Sequence, residues 1–127
     1  YGNAIRFGHV NHCTDLLAGE GLETVLSVGT ALPQAALAAC LTANHLSVFD
    51  YPSSIKRLWI VRDNDKAGER AAASLADRAG SDGMQPFVLT SLRDDFNTDL
   101  REDGISVLRQ RLAALITAEV SEHDLWP

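Results

Sequence analysis

Cysteine is scarce in this sequence. Cys13 and Cys40 are the only two in 127 residues. They stand far apart, form no C-x-x-C, and have no histidine pair at zinc spacing nearby, which excludes a disulfide scaffold and a structural zinc site. They read as buried thiols of a reducing cytosol. No apolar run is long enough to cross a bilayer, and no basic stretch with an apolar run and a small-residue cleavage site opens the chain. These absences point to a cytoplasmic protein without a membrane partner. Repeats, low-complexity tracts and linker-like stretches are missing too. Positive charge is short: 11 Lys and Arg against 17 Asp and Glu leave a formal charge of −6. That is the wrong balance for a chain that grips a polyanion unaided. What remains is an ordinary apolar share of 46% in a length that suits one packed domain, 1–127. A start at Tyr1 rather than methionine suggests a segment cut from a larger protein.

The apolar pattern alternates between two periods. Residues 3–7 and 15–18 read as short strands, the second ending in Gly19-Glu20-Gly21. Leu22, Val25, Leu26 and Val28 recur at helical spacing up to Gly29, which marks the expected stop. Leu32-Pro33 breaks the chain, so the apolar run 35–39 reads as a buried strand. Thr42 suits the cap of a short helix through Phe49. Arg57 to Arg62 carries the strongest strand signal and ends abruptly at Asp63-Asn64-Asp65. An alanine-rich helix is expected over 66–79 with Gly80 as its C-terminal glycine, then a strand over 86–90. An acidic loop follows over 94–99, and an amphipathic helix over 105–120 carries Val107, Leu108, Leu112, Leu115 and Ile116 on one stripe. Strands alternating with helices predict an α/β domain, a mainly parallel central sheet flanked by helices. Ligands of such sheets sit beyond the carboxyl ends of the strands, where Glu20, Asp63, Asp65 and Asp95 all fall.

Four carboxylates at one sheet edge raise one another's pKa values unless a cation sits among them. A hard divalent ion, Mg2+ or Mn2+, suits an Asp-x-Asp at a strand end, with water and substrate phosphates completing its shell. Such an ion orients phosphate and acidifies an attacking hydroxyl, which is phosphoryl or nucleotidyl transfer chemistry. Taken singly, each motif has a plainer reading. Asp63-Asn64-Asp65 is also a turn with a helix cap, with Asp65 capping the helix that begins near Lys66. Glu20 and Glu23 are also loop and first-turn charges near a helix start, and 94–99 is also a solvated charge run.

Together, Gly19-Glu20-Gly21-Leu22-Glu23-Thr24, then a hydrophobic strand ending in Asp63-Asn64-Asp65-Lys66-Ala67-Gly68, then Asp95-Phe96-Asn97, resemble the Toprim family in order and spacing over nearly the whole chain. The wording E-G-L-E-T, D-N-D-K-A-G-E-R-A-A and D-D-F-N-T-D-L looks closest to the Toprim segments of phage and plasmid primases, including primase-helicase proteins. The resemblance implies a DNA primase catalytic domain that supports RNA primer synthesis on a DNA template and is weak in isolation. Glu20 would be the general acid or base. Asp63 and Asp65 would be metal ligands, and Asp95 the last acidic position. Glu23 can reach back toward the site, and Gly19 and Gly21 would let backbone approach a phosphate. Single-stranded DNA template and nucleoside triphosphates would be held through neighbouring domains, with a helicase domain or partner possible.

Two positions depart from the primase pattern. Asp94 stands where a lysine is common, and Arg62 where a small apolar residue is expected, which makes Arg62 a candidate phosphate contact. Lys66 and Arg70, one helical turn apart, can face phosphates or form a solvated helix face; with Lys56, Arg57 and Arg78 they are the only basic concentration. His9, His12, His45 and His123 converge on nothing acidic and read as surface or capping residues. Trp59 and Trp126 offer no clear stacking platform, one inside a strand and one at the chain end. Rival readings are a Toprim nuclease or topoisomerase domain, although neither Tyr1 nor Tyr51 has a nucleophile's motif, and a non-catalytic Toprim-like module that binds DNA or protein. A receiver-like phosphoacceptor is more distant.

Overall fold

The computed structural model describes residues 4–8 and 13–120. His9, His12, His123, Trp126 and Tyr1 lie outside them. Five strands form one sheet: β1 (Ile5–Phe7), β2 (Asp15–Gly19), β3 (Ala36–Ala39), β4 (Arg57–Arg62) and β5 (Gln85–Thr90). Their order is β1-β3-β2-β4-β5. Only β1 runs antiparallel, against β3; the other pairings are parallel. The helices are α1 (Leu22–Ala31), α2 (Ala43–Ser47), α3 (Lys66–Ser81), α4 (Phe96–Asp103) and α5 (Ile105–Thr117). This is the expected α/β domain with a mainly parallel sheet.

Every residue of β2 is buried, which is why its run reads as uniformly apolar after Asp15: a central parallel strand has helices on both faces. Alternate residues divide between two cores. Leu16, Ala18, Leu58 and Ile60 meet Leu46 of α2 and Ala72, Leu75 and Ala79 of α3. Leu17, Trp59 and Val61 meet Val25 and Val28 of α1, Phe96 at the start of α4, and Leu108, Leu112 and Ile116 of α5. Trp59 is fully buried and stacks on Phe87 with ring centroids 4.4 Å apart, so it is a core residue rather than a base platform. Small alanines on the inner face of α3 let that helix lie close to the sheet.

Several boundaries differ from the sequence expectation for physical reasons. Gly29 does not stop α1, which continues to Ala31; a Cβ there would stand 2.4 Å from Leu37 Cδ1 of β3, so any larger residue would have to displace that side chain. Gly80 sits inside α3, and the left-handed turn after that helix falls on Gly83, at φ +86°. The segment 94–99 is not all loop: Asp95 caps α4, which begins at Phe96. The last helix ends at Thr117, short of Val120. The short helix after Thr42 ends at Ser47, with the Thr42 hydroxyl accepting the His45 N–H as expected of a cap.

Cys40 is buried and Cys13 half-buried, and burial pushes the Cys40 thiol up to about 12. Of the basic residues, Arg57 and Arg78 serve the fold. Arg78 donates to the Ser47 and Phe49 carbonyls and lies over the Tyr51 ring. Arg57 donates through Nε and Nη2 to the Asp15 carboxylate at 2.5 and 2.8 Å, and the Trp59 indole donates to the same group at 3.0 Å.

Asp15 is therefore a charged group at the amino end of the central strand, its side chain fully buried. Removing the carboxylate leaves the buried Trp59 indole N–H without its acceptor and breaks the ion pair to Arg57, so Asp15→Ala is expected to cost about 3–5 kcal/mol. A urea melt followed by Trp59 fluorescence checks this; an unchanged midpoint would contradict it.

Candidate active site

The chain leaves β2, crosses by α1 to β3 on one side, then returns by α2 to β4 on the other side of β2. The sheet's switch point thus lies between the carboxyl ends of β2 and β4, the position where open α/β sheets bind ligands. Glu20 follows β2 directly and Asp63 follows β4 directly, while the loop 91–95 brings Asp94 and Asp95 from the end of the adjoining β5. The three acidic motifs lie near enough at this edge for their charges to act on one another.

Backbone bonds join these loops. The Asn64 N–H donates to the Asp94 carbonyl at 2.8 Å, and the Leu41 N–H donates to the Glu20 carbonyl at 2.6 Å. Leu41 has φ +76°, a left-handed conformation that costs a leucine of order 1 kcal/mol or more and persists only where its surroundings enforce it. Nothing in the sequence marks Leu41 as strained beside the site. The Ala43 backbone N–H acts on the Glu20 carboxyl in the sense that lowers its pKa, the weakest influence on that group.

Each aspartate is held by one oxygen. Asp63 Oδ1 accepts from the hydroxyl of buried Thr24 at 3.0 Å. Asp65 Oδ1 caps α3 through the Gly68 N–H at 2.6 Å. Asp95 Oδ1 caps α4 through the Thr98 N–H at 2.7 Å and accepts the Thr98 hydroxyl at 2.8 Å. The cap reading and the ligand reading of these residues are therefore compatible, because the second oxygen of each has no partner among the described residues. Gly68 is required by this arrangement: a Cβ there would stand 2.8 Å from the Asp63 carbonyl oxygen and 3.0 Å from Asp65 Oδ1. That accounts for Ala-Gly after the aspartate pair.

Other residues divide. Glu23 points at the third motif, where its carboxylate meets Asn97 Nδ2 at 3.4 Å while Ser27 holds Asn97 Oδ1 at 3.2 Å. Gly19 is buried against Val25 and Val61, so its small size serves packing; Gly21 stands at the N-cap of α1. Arg62 folds back, its Nε donating to the Asp63 carbonyl at 3.1 Å. Lys66 and Arg70 are exposed on α3. Arg70 lines a groove of about 330 Å³ with Ala43, Asn44, Ser47, Ala67 and Ser74. Thr24 appears in the sequence only as the last residue of the E-G-L-E-T motif, four residues after Glu20; its bond to Asp63 is not legible there.

Electrostatics follow from crowding. Burial first, then the charges of Asp63 and Asp65, push the Glu20 carboxyl above its ordinary pKa. Burial likewise raises Asp63, with Asp95 and Asp65 adding to the effect and the Thr24 hydroxyl opposing it. None of the ion pairs among the described residues involves these four groups. The donor set is oxygen only, partly solvated and under mutual repulsion, which fits a hard divalent cation. Among the described residues, no three of His, Cys, Asp or Glu converge to ligate an ion by themselves. Magnesium is ordinarily held by one or two carboxylates plus water and phosphate, and Asp63 with Asp65 or Asp95 would supply that number.

Comparison with known proteins agrees with this geometry. Residues 15–106 match the family model described as Toprim domain. Among solved structures, the chain is similar to the primase fragment of the bacteriophage T7 primase-helicase protein, with a TM-score of 0.61 and 14% identity over 84% of this chain. The chain spans 45% of that fragment. No curated protein sequence matches.

The raised pKa values carry a signed prediction. A carboxyl raised in the folded state binds its proton more tightly there than in the unfolded chain. Its contribution to stability is present below the ordinary carboxylate pKa and is lost as pH rises through the raised one. In metal-free solution, Asp63→Asn, which keeps an acceptor for Thr24, should therefore melt above the wild type at neutral pH. The gap should close by about pH 3, where carboxyls are protonated in both states. Calorimetric melts across that range test it, and a variant that melts lower at neutral pH would contradict it.

Proposed function

The chain belongs to the Toprim family, and from that premise we propose that it is the catalytic metal-binding domain of a DNA primase, supporting nucleotidyl transfer in RNA primer synthesis. The observation that carries the reading is the arrangement of Asp63, Asp65 and Asp95, each anchored by one oxygen with the other unengaged, beside Glu20 at the switch point of the sheet. Asp63 and Asp65 are the proposed ligands of Mg2+ or Mn2+, with Asp95 alongside. When bound, the ion would hold nucleotide phosphates, neutralise charge developing on them and acidify the attacking 3′-hydroxyl.

Glu20 is the proposed proton acceptor. Its pKa is displaced upward by burial and by Asp63 and Asp65, the direction that suits a carboxylate exchanging protons near neutrality. Lys66 and Arg70 are the proposed phosphate contacts, Arg70 through the groove between α2 and α3. Arg62 is a weaker candidate, since its Nε is engaged by backbone. A net charge of −6 leaves template binding to other parts of the protein, in line with the match to a larger primase fragment. Single-stranded DNA and nucleoside triphosphates are the proposed partners, with a helicase domain or partner by analogy with the primase-helicase neighbour.

The test is template-dependent ribonucleotide incorporation by the full-length protein with Mg2+ or Mn2+. Asp63→Asn should abolish it, and Glu20→Gln should slow it by about 10²–10⁴-fold, the usual effect of removing a general base, while leaving cation binding intact. Wild-type incorporation by Glu20→Gln would remove that residue's role. Strand cleavage in place of incorporation would assign the site to a Toprim nuclease or topoisomerase.

A further inference from the structure

Asp99 is the buried acidic residue of α4, with no exposed surface. Its Oδ2 accepts the Leu92 N–H at 2.8 Å and its Oδ1 accepts the Arg93 N–H at 3.0 Å. The Arg93 guanidinium adds a bond at 3.2 Å. From α5, Arg111 Nη1 approaches Asp99 Oδ2 at 3.5 Å; that nitrogen is buried and has no hydrogen bond, so the ion pair is its one polar engagement. Asp103 closes the cluster, accepting from Arg93 at 2.7 and 2.9 Å and from Arg111 at 2.8 Å.

Burying a carboxylate such as Asp99 is a poor way to gain stability even when it is paired, because an apolar replacement of similar volume often does as well or better. A carboxylate can, however, accept two successive backbone N–H groups at once and fix the turn they belong to. The turn here is the loop 91–95, which leads into Asp95. Its Asp94 carbonyl receives the Asn64 N–H from the middle of the aspartate pair. A continuous chain of contacts thus runs from Arg111 through Asp99, the Leu92 and Arg93 amides and Asp94 to Asn64. Asp95, four residues before Asp99 and capping the same helix, is carried with that loop.

We propose that Asp99, backed by Arg111, is a positioning residue that sets the place of Asp95 and of the Asp63-Asn64-Asp65 turn relative to each other from outside the site. The cluster fixes the distance between two acidic strand ends that otherwise repel. Its effect on cation affinity rests on the metal-binding reading above; its effect on the loops does not.

The variants are Asp99→Asn, which keeps volume but accepts through only one oxygen, and Arg111→Met, which keeps the stem without the charge. Ile55→Ala, a buried position just before β4 at the opposite edge of the sheet, serves as a destabilised control. Amide hydrogen exchange without metal should show protection lost at Asn64 and Thr98 in both cluster variants and retained in Ile55→Ala. Equal protection in all three, or equal loss in the control, overturns the proposal. Where the wild type binds Mn2+, the cluster variants should bind it about tenfold or more weakly, as when an outer partner of a ligand is removed, with Ile55→Ala unchanged. Wild-type affinity in Asp99→Asn overturns the link to the site. A wild type that binds no cation condemns the metal reading alone, since the exchange result stands without it.

Discussion

Negative charge concentrated at the carboxyl ends of three adjacent strands is the constraint around which this structure is built. Glu20, Asp63, Asp65 and Asp95 share one edge of the sheet, and none enters an ion pair among the described residues. Burial, with repulsion added to it, raises the pKa values of Glu20 and Asp63 from their ordinary values. A fold that keeps such an edge must hold it together by other means. Here those means are hydrogen bonds from α1, α3 and α4 to one oxygen of each aspartate, and the backbone bond between the Asp63-Asn64-Asp65 turn and the loop after β5.

The same residues thus answer to two demands. Asp65 and Asp95 start helices, a task any good N-cap residue performs, yet only a carboxylate leaves a charged oxygen to spare. Gly68 permits the cap bond that turns Asp65, and Thr24 steadies Asp63. The opposite end of the sheet shows the contrasting solution. There Asp15 is buried to a similar purpose but is matched by Arg57 and the Trp59 indole. One acidic residue is neutralised within the protein; the others have no cationic side chain paired with them among the described residues.

Much of this was legible in sequence because strand ends and helix starts have local signatures. The run from Arg57 to Arg62, cut off by Asp63, located β4 and the acidic residues at its carboxyl end. The order of the acidic motifs with their glycines identified the family. What was missed depends on contacts between segments distant in sequence. Asp99 looks like one more charge in an acidic run until α5 brings Arg111 against it, so 94–99 read as loop although it contains the start of α4. Gly29 looks like a helix terminator until Leu37 of β3 is seen beneath it. Leu41 carries no local sign of its left-handed backbone, which is imposed by pairing with Glu20. The Thr24 bond to Asp63 spans two strands and is invisible to periodicity.

If the unbalanced edge exists to receive a divalent cation, loading that cation must expel protons. The most direct measurement is calorimetric titration of Mg2+ or Mn2+ into the wild-type chain at several pH values, each in buffers of different ionisation enthalpy. Saturable binding with proton release, shrinking as pH rises beyond the raised values of Glu20 and Asp63, is the predicted result. Absence of saturable binding at millimolar ion with nucleotide present, or binding that releases no protons in mildly acidic buffer, would contradict it.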